Sequence, residues 1–455
     1  MDAIKISPEH KKVRLMTEGS IARHLFFFAV PLIFGNLLQQ LYNTADSIIV
    51  GNYVGSNALA AVGSSTAIIS LLIAFGQGAS VGAGVVVAQY LGAKDRKNIH
   101  LAVHTSLAIA ILLGIGLSVT GIFMTKPLLY WMDTPEDVFK DSAIYLRIYF
   151  GGAVFNIIYN MASGILNAVG NSRRSLLYLG SASLTNIVLD LVFVKMFQLG
   201  VTGAAIATDI SQLVSSVLAI RYLVSVQDEY RVILKNIRIQ RKMAAHVIQV
   251  GLPTGIQNMV ISLSNVLIQS SVNGFGVEAM AGFGAYMKID GFNILPVTSF
   301  SMAVTTFTGQ NSGAGKYDRV KKGMWTTLVM CCLYTIATGV LLLVFSNPLM
   351  RMFTDNPEVI DYGKSAMRYF CPFYFVLSIL HSLAGAVRGT GKTIPPMAIL
   401  LISLCLFRIL WVRLVLPVFH TITGIYILYP ISWIIGTFLM ILYTWKGHWL
   451  PYKNI

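Results

Sequence analysis

Long apolar blocks alternate with short polar segments along the whole chain. A helix needs roughly 20 predominantly apolar residues to cross a bilayer, and several blocks are longer than that. Twelve blocks predict membrane helices, at residues 24–52, 57–91, 98–124, 138–170, 174–196, 202–226, 244–274, 279–312, 323–345, 359–388, 394–417 and 423–446. The pattern therefore predicts an all-α membrane protein with twelve transmembrane helices.

The second half of the chain repeats the first. Gly164 and Gly170 match Gly385 and Gly391 at an offset of 221 residues, and Pro31 matches Pro253 at an offset of 222. We therefore predict two pseudo-symmetric six-helix lobes. The predicted division is a cytoplasmic N-terminal segment (1–23), an N-lobe (24–226), a cytoplasmic linker (227–243), a C-lobe (244–446) and a cytoplasmic tail (447–455). Duplicated membrane halves are typical of secondary transporters, in which the substrate site lies between the repeats.

Composition and charge placement agree with a membrane location. Hydrophobic residues make up 55% of 455 residues, charged residues only 12%, and the mean hydropathy is +0.68. The net charge of +15 comes from Lys and Arg in alternate loops. Examples are Lys11, Lys12 and Arg14; Lys94, Arg96 and Lys97; Arg173 and Arg174; Arg238, Arg241 and Lys242; Lys316, Arg319, Lys321 and Lys322; Arg388 and Lys392. This positive-inside pattern predicts a cell (cytoplasmic) membrane protein with both termini in the cytoplasm, and it argues against nucleic-acid binding.

Two enzyme-like motifs fail on their context. Gly78 to Gly82 fits a nucleophile elbow, but the motif lies within a predicted membrane helix and no strand precedes it. Gly389 to Thr393 resembles the end of a phosphate loop, but Ala386 stands where that loop needs its first glycine. The four cysteines all lie in predicted helices without metal-site spacing. We expect no enzyme activity, no ATP, no cofactor and no resident metal, so an ion gradient must drive any transport.

The first half places two acids in membrane helices, where an ionisable group indicates function by default. Asp46 shares a helix face with Gln39, Tyr42 and Asn43, and Asp190 lies one turn from Asn186. Thr208 on helix 6, together with Asn160 and Asn167 on helix 4, could complete one polar pocket. Two carboxylates in such a pocket would share a proton, which could be taken up on one side of the membrane and released on the other. The alternative is that these acids only hold helices together, and Asp209 stands evenly between the two interpretations.

The second half lacks both acids. Ile268 stands at the position of Asp46 and Trp411 at the position of Asp190. Helix 7 instead has a neutral stripe that suits either a hydrated cavity or contacts between helices, formed by Asn258, Ser262, Asn265 and Gln269. We expect Lys288, Asp290 and Arg408 to form a neutralised structural network, and we assign ion coupling to the N-lobe alone.

These features together resemble the MATE (multidrug and toxic compound extrusion) family, and its DinF-like branch in particular. The residues that carry the resemblance are Pro31 and Asp46 in VPLIFGNLLQQLYNTADSIIVGNYVG, Asn186 and Asp190 in TNIVLDLVFV, Thr208 in GVTGAAIATDISQ, and the segment GAVRGTGKTIPP. The resemblance implies the MOP-superfamily fold, with two lobes around a central cavity and alternating access. It also implies an ion-coupling network at Asp46, Asn160, Asn186, Asp190 and Thr208.

The resemblance further implies export of small organic cations or amphiphilic drugs in exchange for an ion. The coupling ion would be H⁺, because helix 7 lacks the additional acid of the NorM-like branch. Na⁺ in the pocket of Asp46, Asn186, Asp190 and Thr208 stays open. Helix 1 can bend at Pro31, because proline removes a helical hydrogen bond. We expect a monomer. A flippase for lipid-linked precursors, with a related bilobed architecture, and a membrane protein without transport activity are the alternatives.

Overall fold

The computed structural model describes residues 15–419, 421–446 and 449–450. Expectations about residues 1–14 and about most of the tail 447–455 lie outside the described residues. Within the described part every regular element is helical, and the all-α prediction is confirmed. The basic residues at the very N-terminus are among those not described.

Each predicted membrane span corresponds to a helical run. In chain order these are α1 (Ile21–Tyr53), α2 (Ser56–Gly92), α3 (Arg96–Trp131), α4 (Glu136–Ala168), α5 (Ser172–Met196), α6 (Gly200–Ser225), α7 (Arg241–Asn273), α8 (Val277–Gly313), α9 (Tyr317–Val344), α10 (Pro357–Gly389), α11 (Ile394–Leu414) and α12 (Thr423–Lys446). Ten of these runs are long and apolar enough to cross a membrane. The other two, α7 and α8, are as long but more polar.

Several runs depart from regular α-helix. The end of α5 (Leu191–Met196) and the middle of α11 (Ile402–Leu406) are π-helical, and α10 contains a 3₁₀ turn at Cys371–Phe373. Short helices at Ser346–Arg351 and Leu416–Phe419 lie in connections. Among the described residues, π segments therefore occur only in α5 and α11, which are matching helices of the two halves.

Several predicted boundaries differ from the helix ends by a few residues, and two of these differences have a local cause. The predicted third span ends at residue 124, whereas α3 continues through Pro127 to Trp131. A proline that close to a helix end disturbs few hydrogen bonds, so the helix is not broken there. The seventh span was predicted to begin at residue 244, but α7 begins at Arg241, because the Gln240 side chain caps it by accepting from the amide of Met243 at 2.8 Å.

The two halves cross closely where α2 passes α7. A Cβ added to Gly78 would overlap the backbone of Gly255, and one added to Gly82 would overlap Gly251. Only glycine permits this approach, and small residues at such crossings are how membrane helices bring their backbones together. The crossing holds the second helix of the first half against the first helix of the second half.

A second set of contacts joins the halves where α2 and α8 end. We call this end of the bundle the basic end, because Lys94 and Arg319 lie just beyond those two helices. The Gln89 side chain donates to the carbonyl of Gly389 at 3.1 Å, and the Gln310 side chain donates to that of Ala168 at 2.7 Å. The two glutamines stand at matching positions of the repeat, so the contact is itself pseudo-symmetric.

The cores of the two halves differ in composition. The first half is packed mainly with alanine, valine, leucine and isoleucine. The second half is built around an aromatic cluster, formed by Phe283, Tyr286, Phe370, Tyr374, Tyr426, Tyr429 and Trp433. This difference sets the surroundings of the polar groups in each half.

Candidate functional site

Two acids meet inside the first half. Asp46 on α1 is 8% exposed, and Asp190 on α5 is fully buried. Their carboxyl groups are in hydrogen-bonding contact with each other. Both oxygens of Asp190 and Oδ1 of Asp46 have no other hydrogen-bond partner among the described residues. Buried polar atoms nearly always have partners, and a carboxyl pair of this kind can share one proton or accept a small cation.

A neutral amide and a hydroxyl group complete the pocket. Asn186 lies one turn before Asp190, and its amide donates to the hydroxyl of Thr208 on α6 at 3.4 Å. The Thr208 hydroxyl in turn donates to the carbonyl of Ala204 at 3.1 Å. The carbonyl oxygen of the Asn186 side chain is buried without a partner. Helices α1, α5 and α6 thus converge as the sequence predicted, with uncharged oxygen atoms beside the acid pair.

Tyrosines surround the acids, and two of them were missed in the sequence. Tyr42 is buried beside both acids, and its hydroxyl is in hydrogen-bonding contact with Gln39. Tyr145 and Tyr149, both buried on α4, approach Tyr42, and Tyr145 also interacts electrostatically with both acids. Their spacing of four residues places them on one face of α4 and could have revealed them.

The π-helical segment begins directly after Asp190. Such a segment places one extra residue in a turn, and π-bulges occur frequently at functional sites. The regular ladder of backbone hydrogen bonds is therefore interrupted next to the acid that has no partner other than Asp46.

Three predicted residues are not part of this pocket. Asn160 donates to the backbone and side chain of Asn156 at 2.9 Å. Asn167 points across to the other half, where its amide contacts the sulfur of Met302 at 3.9 Å. Asn43 is exposed, although Asp46 on the same helix is buried.

Asp209 contacts a different part of the first half. Its carboxyl group packs against the backbone of Gly152 on α4, where a Cβ would overlap it. Asp209 is not one of the acid pair, although Tyr149 interacts electrostatically both with Asp209 and with Tyr42 of the pocket.

The polar residues of the stripe on α7 make separate contacts. Asn258 accepts from Gln257 at 3.5 Å, and Gln269 donates to Asn273 at 3.2 Å, so both bond within α7. Asn265 accepts from the Arg408 side chain of α11 at 3.4 Å. Ser262 is half-buried. Only Asn265 therefore links the stripe to another helix.

The expected network of Lys288, Asp290 and Arg408 is not formed. Asp290 accepts from the hydroxyl of Tyr374 at 2.5 Å and from that of Tyr286 at 3.4 Å. The Lys288 ammonium lies 6.0 Å from the ring of Phe353. In the part of the chain that the structure describes, the three ion pairs involve none of these groups. The aromatic core supplies hydroxyl groups to Asp290, whereas Lys288 is exposed and lies near the exposed ring of Phe353 outside that core.

Pro31 lies inside a continuous α1, and a hydroxyl from α5 supports the helix beside it. The hydroxyl of Ser172 donates to the carbonyl of Phe28 at 3.0 Å. In the second half, the Thr393 hydroxyl donates to the carbonyl of Gln249 at 3.3 Å, four residues before Pro253. Each proline removes one amide donor from its helix. In both halves, a hydroxyl group at the start of another helix donates to a carbonyl in the turn before the proline.

The pocket has the chemistry of an ion site and not of a covalent catalyst. Among residues 15–419, 421–446 and 449–450, no cluster of three or more histidine, cysteine or acidic side chains could hold a metal ion. Two neighbouring carboxyl groups and neutral oxygens suit one exchangeable proton or a monovalent cation.

Comparisons with known proteins agree with this description. The family model described as MatE matches residues 31–192 and 253–412, one match in each half. The probable multidrug resistance protein YpnP of Bacillus subtilis (strain 168) is 29% identical over 394 residues, which cover 86% of this chain and 88% of that protein. The probable multidrug resistance protein NorM of Thermotoga maritima is 28% identical over 393 residues, covering 86% of this chain and 84% of that protein.

A solved structure has the same fold. It is described as the outward-facing conformation of a multidrug resistance MATE family transporter of the MOP superfamily. It superposes with a TM-score of 0.87 at 23% identity and covers 95% of this chain and 97% of that chain. The family model matches more than half of the sequence, so the chain belongs to the MatE family, whose members are membrane transporters and not enzymes.

Proposed function

We propose that the protein is an H⁺-coupled antiporter that exports organic cations and amphiphilic drugs by alternating access. The observation that carries the proposal is the buried pair of Asp46 and Asp190: three of their four oxygens are buried without another partner, and neither acid is in an ion pair among the described residues. The multidrug resistance names of the two relatives support the class of substrate.

Competition between the drug and the proton for the acid pair would couple drug export to proton entry. A cationic drug close to Asp46 favours the ionised carboxylate, whereas protonation of the pair favours release of the drug. Each ligand thus changes the affinity for the other by the same factor. One elementary charge moving across 100 mV is worth about 2.3 kcal/mol, which biases the cycle by more than tenfold. Na⁺ is the second candidate ion, since Asn186 and Thr208 would offer it neutral oxygens beside Asp46 and Asp190.

We assign the basic end of the bundle to the cytoplasmic face of the cell membrane. Loops rich in Lys and Arg remain on the cytoplasmic side, which also places both termini there. The hydrogen bonds of Gln89 and Gln310 join the lobes at this end. Nearer the opposite end of the bundle lie residues 37–75 of α1 and α2 and residues 256–298 of α7 and α8. Among the described residues, no side-chain hydrogen bond joins these two ranges. The arrangement suits a state closed toward the cytoplasm.

The decisive experiment is efflux of the fluorescent cation ethidium from energised membrane vesicles. The wild-type protein is expected to move ethidium, a protonophore is expected to stop the movement, and Asp46→Asn is expected to abolish it. Asp209→Asn is the matched control, because it neutralises an acid of the same lobe outside the pair. Wild-type efflux by Asp46→Asn would overturn the assignment of the ion site.

A further measurement identifies the coupling ion, and the cargo that moves separates an antiporter from a flippase. Proteoliposomes in which the proton and sodium gradients are imposed independently identify the coupling ion, and efflux driven by sodium alone would contradict H⁺ coupling. A flippase would carry a lipid diphosphate and would move no organic cation. The acidic character of the N-lobe pocket disfavours that cargo, since a diphosphate would be repelled by the acid pair.

A further inference from the structure

A buried cation occupies the C-lobe at the place that corresponds to the acid pocket of the N-lobe. Arg408 on α11 is 4% exposed. At the offset of 221 it matches Ile187, between Asn186 and Asp190. Its neighbour Tyr429 matches Thr208 at the same offset. The repeat therefore puts a positive group in the second half where the first half has negative ones.

The guanidinium of Arg408 is held by neutral groups from two other helices. Its Nε donates to the hydroxyl of Ser432 on α12 at 3.1 Å, and Nη1 donates to the side-chain oxygen of Asn265 on α7 at 3.4 Å. Its central carbon lies 4.4 Å from the centre of the Tyr429 ring. These contacts fix the plane of the guanidinium by two hydrogen bonds and one aromatic face.

No acid neutralises this cation within the described residues. The ion pairs found there do not include Arg408, and the titratable side chains that interact with it electrostatically are Tyr429 and Cys405. The buried acid of the same lobe, Asp290, is bound instead by the hydroxyls of Tyr286 and Tyr374. A buried charge without an opposite charge is unfavourable in a protein interior, and intramembrane charges mark binding sites.

The site also has an exposed residue beside it and an irregular backbone. Asn265, which accepts from Arg408, is exposed, and it lies on the polar stripe of α7. The π-helical segment Ile402–Leu406 ends two residues before Arg408, and such segments recur at functional sites. The guanidinium has five N–H donors, and the bonds to Ser432 and Asn265 use two of them. A planar acceptor with two oxygens fits the remaining donors.

We propose that Arg408, with Asn265 and Ser432 as positioning residues, binds the carboxylate of the transported molecule. The C-lobe then accepts an anionic group while the N-lobe acids accept a cationic one, so the preferred cargo is a zwitterion with separated charges. The inference rests on the proposed export function for its cargo, but the carboxylate site itself is a property of the C-lobe and can be measured by binding alone.

The test uses two dyes that differ only at the carboxylate. Rhodamine 110 has a free carboxylate, and rhodamine 123 is its methyl ester. Fluorescence anisotropy with purified full-length protein is expected to show at least tenfold tighter binding of rhodamine 110. Arg408→Gln is expected to remove this preference, and Arg408→Lys to retain part of it because the charge remains. Asp290→Asn is the control, because it changes a buried charge of the same lobe that does not contact Arg408.

Several results would overturn the proposal. Equal affinities of the wild-type protein for the two dyes, no binding of rhodamine 110, or an unchanged preference in a folded Arg408→Gln protein would each do so. Competition identifies the anion, because benzoate is expected to displace rhodamine 110 at constant ionic strength. Chloride that competes at a lower concentration than benzoate would contradict a carboxylate site. A failure of ethidium efflux together with the expected dye preference would remove the export function and leave the carboxylate site standing.

Discussion

The pockets of the two lobes lie at matching places in one duplicated scaffold and have opposite chemistry. In the N-lobe, Asp46 and Asp190 face each other, and three of their four oxygens are buried without another partner. In the C-lobe, Asp290 accepts two tyrosine hydroxyls, and Arg408 is separate from it. The acid pair of the N-lobe can exchange an ion, whereas Asp290 of the C-lobe already has two hydrogen-bond donors.

The difference shows which features a duplication retains. Gly164 and Gly170, the prolines of α1 and α7, and the glutamines at the basic end have matching residues in the other half. The intramembrane acids of the N-lobe are not matched, because Ile268 and Trp411 stand at the positions of Asp46 and Asp190. The C-lobe pocket could therefore take up a different chemistry on the same helices.

Neutralising one acid of each lobe in turn should give the largest difference. Asp190→Asn is expected to reduce ethidium efflux by more than about tenfold, because the remaining acid has no partner with which to share a proton. Asp290→Asn is expected to preserve efflux per folded protein, since that acid serves the aromatic core. Efflux rates normalised to the amount of folded transporter measure both. Equal losses in the two variants would remove the distinction between the lobes.

The crossing at Gly78 and Gly82 on α2 should tolerate larger side chains less well than the matching positions on α8, which already carry larger residues. At the offset of 221, Ser299 and Ala303 on α8 match Gly78 and Gly82 on α2. Gly82→Val is expected to destabilise the protein by about 3 kcal/mol or more, because its side chain would overlap the backbone of α7. Thermal unfolding in detergent measures the effect. Gly116→Val is the control, because nothing lies within 4 Å of a Cβ there, and an equal loss in both variants would contradict the crossing.

The tyrosine hydroxyls around Asp290 should contribute to stability and not to coupling. Tyr374→Phe removes the 2.5 Å hydrogen bond to this buried acid. A lost partner of a buried polar group costs about 1–3 kcal/mol, so we expect a lower unfolding temperature with efflux retained. Tyr369→Phe, on a ring that packs against Tyr426, is the matched control. Loss of pH-dependent efflux in Tyr374→Phe at normal stability would indicate that the C-lobe acid takes part in coupling.

The hydroxyl groups beside the two prolines should give the smallest effects. Ser172→Ala and Thr393→Ala each remove one hydrogen bond to a helix carbonyl, which is worth about 1 kcal/mol. We expect Ser172→Ala to lower the efflux rate measurably, by between about twofold and about fivefold, because α1 carries Asp46. Thr393→Ala should change stability alone. If the Ser172 variant leaves efflux unchanged, the account of bending at Pro31 loses its support.

The sequence predicted the parts of this structure that depend on local patterns. Hydropathy located all twelve helices, and the repeat revealed the two halves, because both signals are patterns of residues along the sequence. The end of α3 was placed too early, since the effect of Pro127 depends on how near the helix end it lies. The face that each helix turns inward depends on packing, and for that reason Tyr145 and Tyr149 were missed.

Packing also explains the errors among polar residues. Asn43 and Asp46 share a helix face in the sequence, yet one is exposed and the other buried, because the neighbouring helices cover α1 unevenly. Lys288, Asp290 and Arg408 were expected to neutralise one another. Asp290 and Arg408 instead have different neutral partners, and Lys288 is exposed, which no spacing along the chain could reveal.

Proton release on drug binding tests the central claim most directly. Purified protein in weakly buffered solution near neutral pH is titrated with tetraphenylphosphonium while the proton concentration is recorded. The account predicts release of about one proton per bound cation by the wild-type protein and by Asp290→Asn, and none by Asp46→Asn. Undiminished release by Asp46→Asn, or its loss in Asp290→Asn, would contradict an ion site confined to the N-lobe.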